Sequence, residues 1–262
     1  MHQPTVVNVT PFVRRPPLRV PTLAPEKDSS QEWLPFSIRQ VRTTQELEKA
    51  VAIRHRAYAR HLPGLAETLR APESMDEEPG VVVFLATSKV DGSPLGTMRL
   101  QNNAHRPLAL EQSIALPDDM RARSLVEATR LGVTQERVGR LVKTALFKSA
   151  YQYCIHQRVD TMVIAGRAPL DRQYEAMMFR DLYPERGFVP LRHASNIPHR
   201  VMYFDVATLE PLWRAAHHPF HDFFFNHFHP DLETDLPGFR AAISRDYAAA
   251  TVPQPTQHAA QV

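Results

Sequence analysis

The chain is poor in several features that would decide its class at once. It has one cysteine, Cys154, which excludes an internal disulfide and a cysteine-rich metal site. No apolar run reaches the roughly 18 residues that a membrane-spanning helix needs. Prolines and arginines near the start replace the apolar segment of a secretory signal, so no signal peptide is expected and the chain reads as cytoplasmic. A dense basic stripe with interleaved aromatics is missing as well, so no nucleic-acid partner is expected. The formal net charge of +3 suits an acidic partner without demanding one. What remains is ordinary for a globular protein: 262 residues, 43% apolar and 23% charged, enough for one large domain or two small ones.

Residues 1–35 hold seven prolines and few large apolar residues, which predicts an irregular or disordered arm. Its basic residues Arg14, Arg15 and Arg19 suit peripheral contact with a membrane surface or an acidic partner; a solvated tail is the simpler reading. A domain is expected over 36–207. Phe36–Val41 alternates as a first strand, and Thr43 or Thr44 can cap a helix running to about His61. Val81–Thr87 and Leu95–Gln101 read as a hairpin turning at Asp91-Gly92. A long strand over Leu125–Thr134 precedes a helix over about Gln135–Gln157. A buried strand at Thr161–Gly166, a helix at Leu170–Leu182 and strands near Val189 and Val201–Val206 complete the pattern. Residues 208–249 read as a helical, aromatic and histidine-rich extension, and 250–262 as a disordered tail.

Charges interrupt this pattern in four places: Arg54-His55-Arg56-Ala57-Tyr58, Glu73-Ser74-Met75-Asp76, Gly96-Thr97-Met98-Arg99-Leu100 and Glu127-Ala128-Thr129-Arg130-Leu131-Gly132-Val133. The last two lie inside apolar, strand-like runs. Charges there must be paired and hydrogen-bonded, because an isolated buried charge costs several kcal/mol. Such clusters more often mark a polar site than a structural accident.

This order of motifs resembles the autoinducer-synthase branch of the GNAT-fold acyltransferases, and within it the N-acyl amino acid synthases, over roughly residues 36–206. The resemblance implies an α/β fold: a mixed β-sheet flanked by helices on both faces. It also implies transfer of a fatty acyl chain from acyl carrier protein to the amine of an amino acid. No tightly bound cofactor is implied, since the donor carries its own phosphopantetheine. An acyl-homoserine lactone synthase using S-adenosylmethionine shares the charged motifs, but the tryptophan-bearing segment expected after its first helix is replaced by His61-Leu62-Pro63-Gly64-Leu65. A non-catalytic acyl-binding module is the reading from outside the enzymes.

Acyl transfer to an amine needs a base, an oxyanion donor and a placed thioester. Glu127 is the candidate base, because desolvation in an apolar strand raises a carboxyl pKa toward a useful value; the alternative is that it pairs with Arg99 or Arg130 to hold two strands. In a regular strand residues three apart face opposite ways, so Glu127 and Arg130 share a site only if a bulge intervenes. The resembled fold has such a bulge, which would free backbone N–H groups near Leu131, Gly132 and Val133 for an oxyanion. Gly132 suits close approach of a ligand. Arg54, Tyr58, Asp76, Arg99 and Arg130 form the expected acceptor wall, where one guanidinium would grip a carboxylate. For Arg54 the alternative is a salt bridge to Asp76. Glu73 and Glu77 read as solvated loop charges.

The donor site is argued from a loss. Coenzyme A-dependent relatives carry a Gln/Arg-x-x-Gly-x-Gly/Ala phosphate cradle between strand and helix. Here the stretch is Gln135-Glu136-Arg137-Val138-Gly139-Arg140-Leu141, with one glycine left. Arg137, Arg140, Lys143 and Lys148 recur along the helix and would receive an acidic carrier protein; a solvated basic face is the plainer reading. In the histidine-rich extension Pro219 interrupts the helical register, so no i, i+4 metal pair is forced and no metal is expected. Its aromatics are expected to pack on the core or line an acyl tunnel.

Overall fold

The computed structural model describes residues 30–232. In chain order these form β1 (Ser30–Gln31), β2 (Phe36–Gln40), α1 (Thr44–Ala59), α2 (Pro63–Thr68), β3 (Val81–Ser88), β4 (Pro94–Asn102), α3 (Asp118–Arg121), β5 (Leu125–Val133), α4 (Val138–His156), β6 (Thr161–Gly166), α5 (Leu170–Ala176), β7 (Arg180–Asp181), β8 (Val189–Leu191), β9 (Ile197–Asp205), α6 (Leu209–Ala215) and β10 (His227–Phe228). Short 3-10 turns occupy Ser74–Glu77, Ala109–Gln112 and Arg192–Ala194. No helix among them is long and apolar enough to cross a membrane.

Local chemistry starts these elements where expected. The Thr43 hydroxyl accepts the Glu46 amide and the Glu46 carboxylate accepts the Thr43 amide, a capping box that opens α1. At the β3–β4 turn the Asp91 carboxylate accepts the Ser93 amide, and Gly92 takes φ 70°, where a side chain would be strained.

The main sheet runs β2-β3-β4-β5-β6-β9-β7, with β8 also on β9. Its strands are antiparallel except β5 and β6. That parallel pair is joined through α4, as a parallel connection requires a crossover. Strand alternation sorts side chains to two faces. Phe84, Met98, Leu100, Val126 and Ala128 pack with the α4 residues Val142, Leu146 and Ala150. Val83 and Leu85 pack on the other face with Leu47, Ala50 and Val51 of α1. Arg99, Gln101 and Glu127 occupy the α1 side and are nearly or fully buried. The mixed sheet with helices on both faces is therefore the fold adopted.

Two regions differ from the sequence reading. The helix expected over Leu170–Leu182 stops at Ala176, and Arg180–Asp181 instead pairs with β9. Among the described residues of the extension only Leu209–Ala215 is regular α-helix; a π-type turn spans Asp222–Asn226, and β10 follows. The cause is long-range pairing. β1, in the stretch read as an irregular arm, runs parallel to β10, and the Leu34 amide donates to Asp231 Oδ2 at 2.8 Å. Trp213 and Phe224 of the extension are buried in the main core. The expectations for 1–29 and 233–262 lie outside the described residues.

Candidate active site

The bulge inferred from the spacing of Glu127 and Arg130 is present. Thr97 pairs with Gly132 and Arg99 with Thr129, so Arg130 and Leu131 together oppose Met98. Arg130 takes φ 54°, a left-handed conformation uncommon for a non-glycine residue and often found beside functional sites. Beyond the bulge, Gly132 meets α1. A Cβ there would lie 3.1 Å from Ala57 Cβ and 3.2 Å from Arg54 Cα. The glycine thus admits the helix while also lining the cavity between β5 and β6, and this close crossing holds Arg54 over the sheet.

Arg54, Arg99 and Arg130 converge on two carboxylates. Arg54 grips Asp76 with two bonds of 2.9 Å, the salt bridge weighed as its alternative role. Arg130 grips Glu73 with two bonds of 2.6 Å. Arg99 bridges them, 3.1 Å from Glu73 and 3.2 Å from Asp76, and its Nε donates to Thr129. Burial alone would raise both acids; hydrogen bonds and nearby guanidinium charges, led by Arg130 for Glu73 and Arg54 for Asp76, hold them below their ordinary values. Glu73 is thus the hub of the lattice, not a solvated loop charge.

Glu127 is built differently. It is fully buried, and its Oε2 accepts the Leu110 amide at 3.1 Å. Its Oε1 has no hydrogen-bond partner; the nearest basic nitrogen is His193 Nε2, at 3.5 Å. It pairs with neither Arg99 nor Arg130 within salt-bridge distance. Burial pushes its pKa up to about 7, against the Leu110 amide and the charges of Arg99 and Arg130. Burial first, and then Arg130, depress His193 to about 4, so it is neutral near pH 7.

β5 and β6 pair only from Leu125↔Thr161 to Ala128↔Ile164. Past that point a cavity of about 310 Å³ opens between them. Ala128, Leu131, Ile164 and Leu65 give it apolar walls; Tyr58, Arg130, Lys143, Gln173, His193 and His199 give it polar ones. Leu131, Gly132 and Val133 line it, while Arg54, Asp76, Arg99 and Glu127 do not. Glu127 stands behind His193 rather than facing the cleft. The aromatics of the extension pack on the core and do not line this cavity.

The helix read as a carrier surface divides. Arg137 and Arg140 are exposed. Lys143 turns into the cavity wall and its Nζ donates to Gln173 Oε1 at 2.5 Å. Lys148 is buried, so its place on a docking face is corrected. Its Nζ contacts Phe223 O at 2.7 Å, His227 O at 2.6 Å and His229 Nδ1 at 2.8 Å, because the extension covers that turn of α4. Gly139 has a structural cause as well: a Cβ there would lie 2.2 Å from Thr134 O, and its amide donates to Glu136 O. That amide is therefore committed within the loop.

A family model described as "FeeM: N-acyl amino acid synthase FeeM" matches residues 49–198, which contain the lattice, the bulge, Glu127 and His193. The chain belongs to this family. A search of curated protein sequences returns no match. Among solved structures, FeeM, an N-acyl amino acid synthase from uncultured soil microbes, shares 14% identity; the match covers 69% of this chain and 96% of that one, with a TM-score of 0.54. The CoA-dependent acyl-homoserine lactone synthase BjaI shares 16% identity over 81% of this chain and 99% of its own, with a TM-score of 0.48. The Escherichia coli ribosomal-protein-S18-alanine N-acetyltransferase shares 16% identity over 66% and 94%, with a TM-score of 0.44. For this family member the fold is thus the one it shares with the FeeM synthase, a mixed sheet with helices on both faces.

Sequence reasoning missed three residues. Glu73 was visible in its motif, but nothing local showed that Arg54, Arg99 and Arg130 would converge on it. His193 sits in an isolated 3-10 turn with no recognisable pattern, and His199 lies on β9.

Proposed function

We propose that this chain moves a fatty acyl group from acyl carrier protein to the amine of an amino acid, giving an N-acyl amino acid. The observation that supports it most is the cavity between β5 and β6, with an under-paired carboxylate standing behind a neutral histidine in its wall. In this reading the thioester lies in the divergence, over the bulge. The amine nitrogen attacks the carbonyl carbon, its proton leaves to His193 Nδ1, and His193 Nε2 passes a proton to Glu127. The amide forms as the carbon–sulfur bond breaks, and the thiolate is protonated as the carrier's thiol. A neutral imidazole can accept on one nitrogen and release from the other, and a carboxylate with a pKa near 7 is matched to the task at neutral pH.

Of the three lattice arginines, Arg130 is the one that lines the cavity, so it is assigned to the acceptor carboxylate. Arg54 and Arg99 hold its partner Glu73 in place, and Asp76 holds them. Tyr58 lines the acceptor side. The acyl carrier protein assignment rests on the β5–α4 loop, where the Gly139 amide is already used and Leu141 fills the last small position of the cradle. Arg137 and Arg140 then receive the acidic carrier, and phosphopantetheine arrives with it.

The test supplies purified protein with acyl carrier protein or coenzyme A thioesters and a panel of amino acids, and reads products by mass spectrometry. The expected product is an N-acyl amino acid, formed with the higher kcat/KM from the carrier thioester. Equal kcat/KM for both donors would overturn the carrier assignment. A lactone formed only with S-adenosylmethionine would overturn the acceptor class. No acyl transfer to any acceptor would favour a binding module.

A further inference from the structure

We propose that Glu32, His227 and His229 form a binding site for zinc or a similar first-row divalent metal ion that clips the start of the domain to its C-terminal extension. The site is independent of the acyl-transfer cavity. His227 and His229 are two apart on and just beyond β10, so they point to one side of the strand. Glu32 comes from the opposite end of the chain and follows β1, which pairs with β10 through Ser30↔His227 and Gln31↔Phe228. The Glu32 amide extends that pairing, donating to Phe228 O at 2.9 Å.

The ligand atoms are spaced for a metal. His227 Nδ1 lies 3.0 Å and His229 Nε2 3.6 Å from Glu32 Oε2, and one such atom from each residue lies within 4.8 Å of the others. Zinc bound tetrahedrally at about 2.0–2.1 Å places its ligands about 3.3 Å apart. Two imidazoles and a carboxylate are a donor set suited to zinc, iron, nickel or copper and poorly suited to magnesium.

Two features go beyond a surface His–Glu contact. The His229 side chain is fully buried, and its Nε2 has no hydrogen-bond partner. Its other nitrogen meets Lys148 Nζ at 2.8 Å, which orients the ring so that Nε2 is the atom aimed at Glu32. No helical i, i+4 pair marks this site in the sequence, because the two histidines form a strand pair completed by a residue almost two hundred positions away.

The experiment uses untagged full-length protein stripped with chelator and titrated with zinc chloride against a chromophoric chelator, with magnesium chloride as control. One zinc per chain is expected, bound at roughly micromolar affinity or tighter. His227→Ala and Glu32→Gln alter partly exposed side chains and should each weaken zinc binding by about 10-fold or more. Zinc should raise the melting temperature of the unmodified protein but not of the variants. Cobalt in place of zinc should give the intense visible bands of a tetrahedral site. No saturable binding, equal affinity in both variants, a comparable response to magnesium, or a weak octahedral cobalt spectrum would each overturn the proposal.

Discussion

Two clusters of buried charge share one face of the sheet, and they are wired in opposite ways. Around Glu73 and Asp76, three guanidinium groups meet two carboxylates, and every carboxylate oxygen has a partner at 3.3 Å or less. Glu127 has the Leu110 amide as its one close hydrogen-bond donor, with the Ala109 amide farther off and a histidine at 3.5 Å. The paired acids are held ionised below their ordinary values, while the under-paired one rises to about 7. Burial works in the same direction on all three. Satisfaction of the oxygens makes the difference: a saturated acid is fixed as an anion and serves as architecture, whereas an acid left short of donors can exchange a proton at neutral pH.

Breaking the lattice should have the largest effect. Glu73→Gln removes the anion shared by Arg54, Arg99 and Arg130, leaving Asp76 as the one carboxylate among them. Urea denaturation should show a loss on the order of 3–5 kcal/mol, typical of stranding buried charge. A loss below about 1 kcal/mol would mean the lattice is not what anchors α1 and the Ser74–Glu77 turn to the sheet.

The same kind of change at Glu127 should do the reverse to stability. Its folded pKa of about 7 lies above the ordinary value of 4.5, so between those values the folded state binds more proton than the unfolded state. Native stability therefore falls as pH rises from about 4.5 to about 7, and the full cost persists above that, on the order of 3 kcal/mol. Glu127→Gln should match the parent protein near pH 4 and exceed it at pH 8. Its acyl-transfer rate should nevertheless fall by roughly 10²-fold. A variant less stable than the parent at pH 8 would place Glu127 with the lattice. His193→Ala keeps the carboxylate and removes the relay; a rate loss of roughly 10-fold or more is expected in the same assay.

The smallest effect concerns the surface. Arg137→Glu with Arg140→Glu should weaken carrier-protein binding several-fold and flatten its salt dependence, because rim charges mostly set association rate. The acceptor KM should hold. Unchanged docking would make those arginines a solvated face, and a rise in acceptor KM alone would mean the two substrates enter from the opposite sides.

Local rules made part of this legible. Glu127 and Arg130 cannot share a face of a regular strand, and the bulge that resolves the conflict is there. The Arg54–Asp76 pair was readable as one of two roles, and the strand alternation separated the two sheet faces. Long-range contacts hid the rest. Glu73 meets Arg99 and Arg130 across 26 and 57 residues. Lys148 continues a basic periodicity that looks exposed until the extension, 75 to 81 residues later, folds over it. Gly132 reads the same whether a ligand or a helix approaches, and only packing reveals α1. The extension departed from its helical pattern because β1 offered it a strand partner.

The central claim, that Glu127 takes the amine proton through His193, is tested most directly by the pH dependence of kcat/KM. The parent enzyme should gain activity as pH rises through about 7, as Glu127 ionises, over and above the ionisation of the acceptor amine. The Glu127→Gln variant should lose that limb and retain only the amine's. Identical profiles and comparable rates in the two proteins would contradict the account.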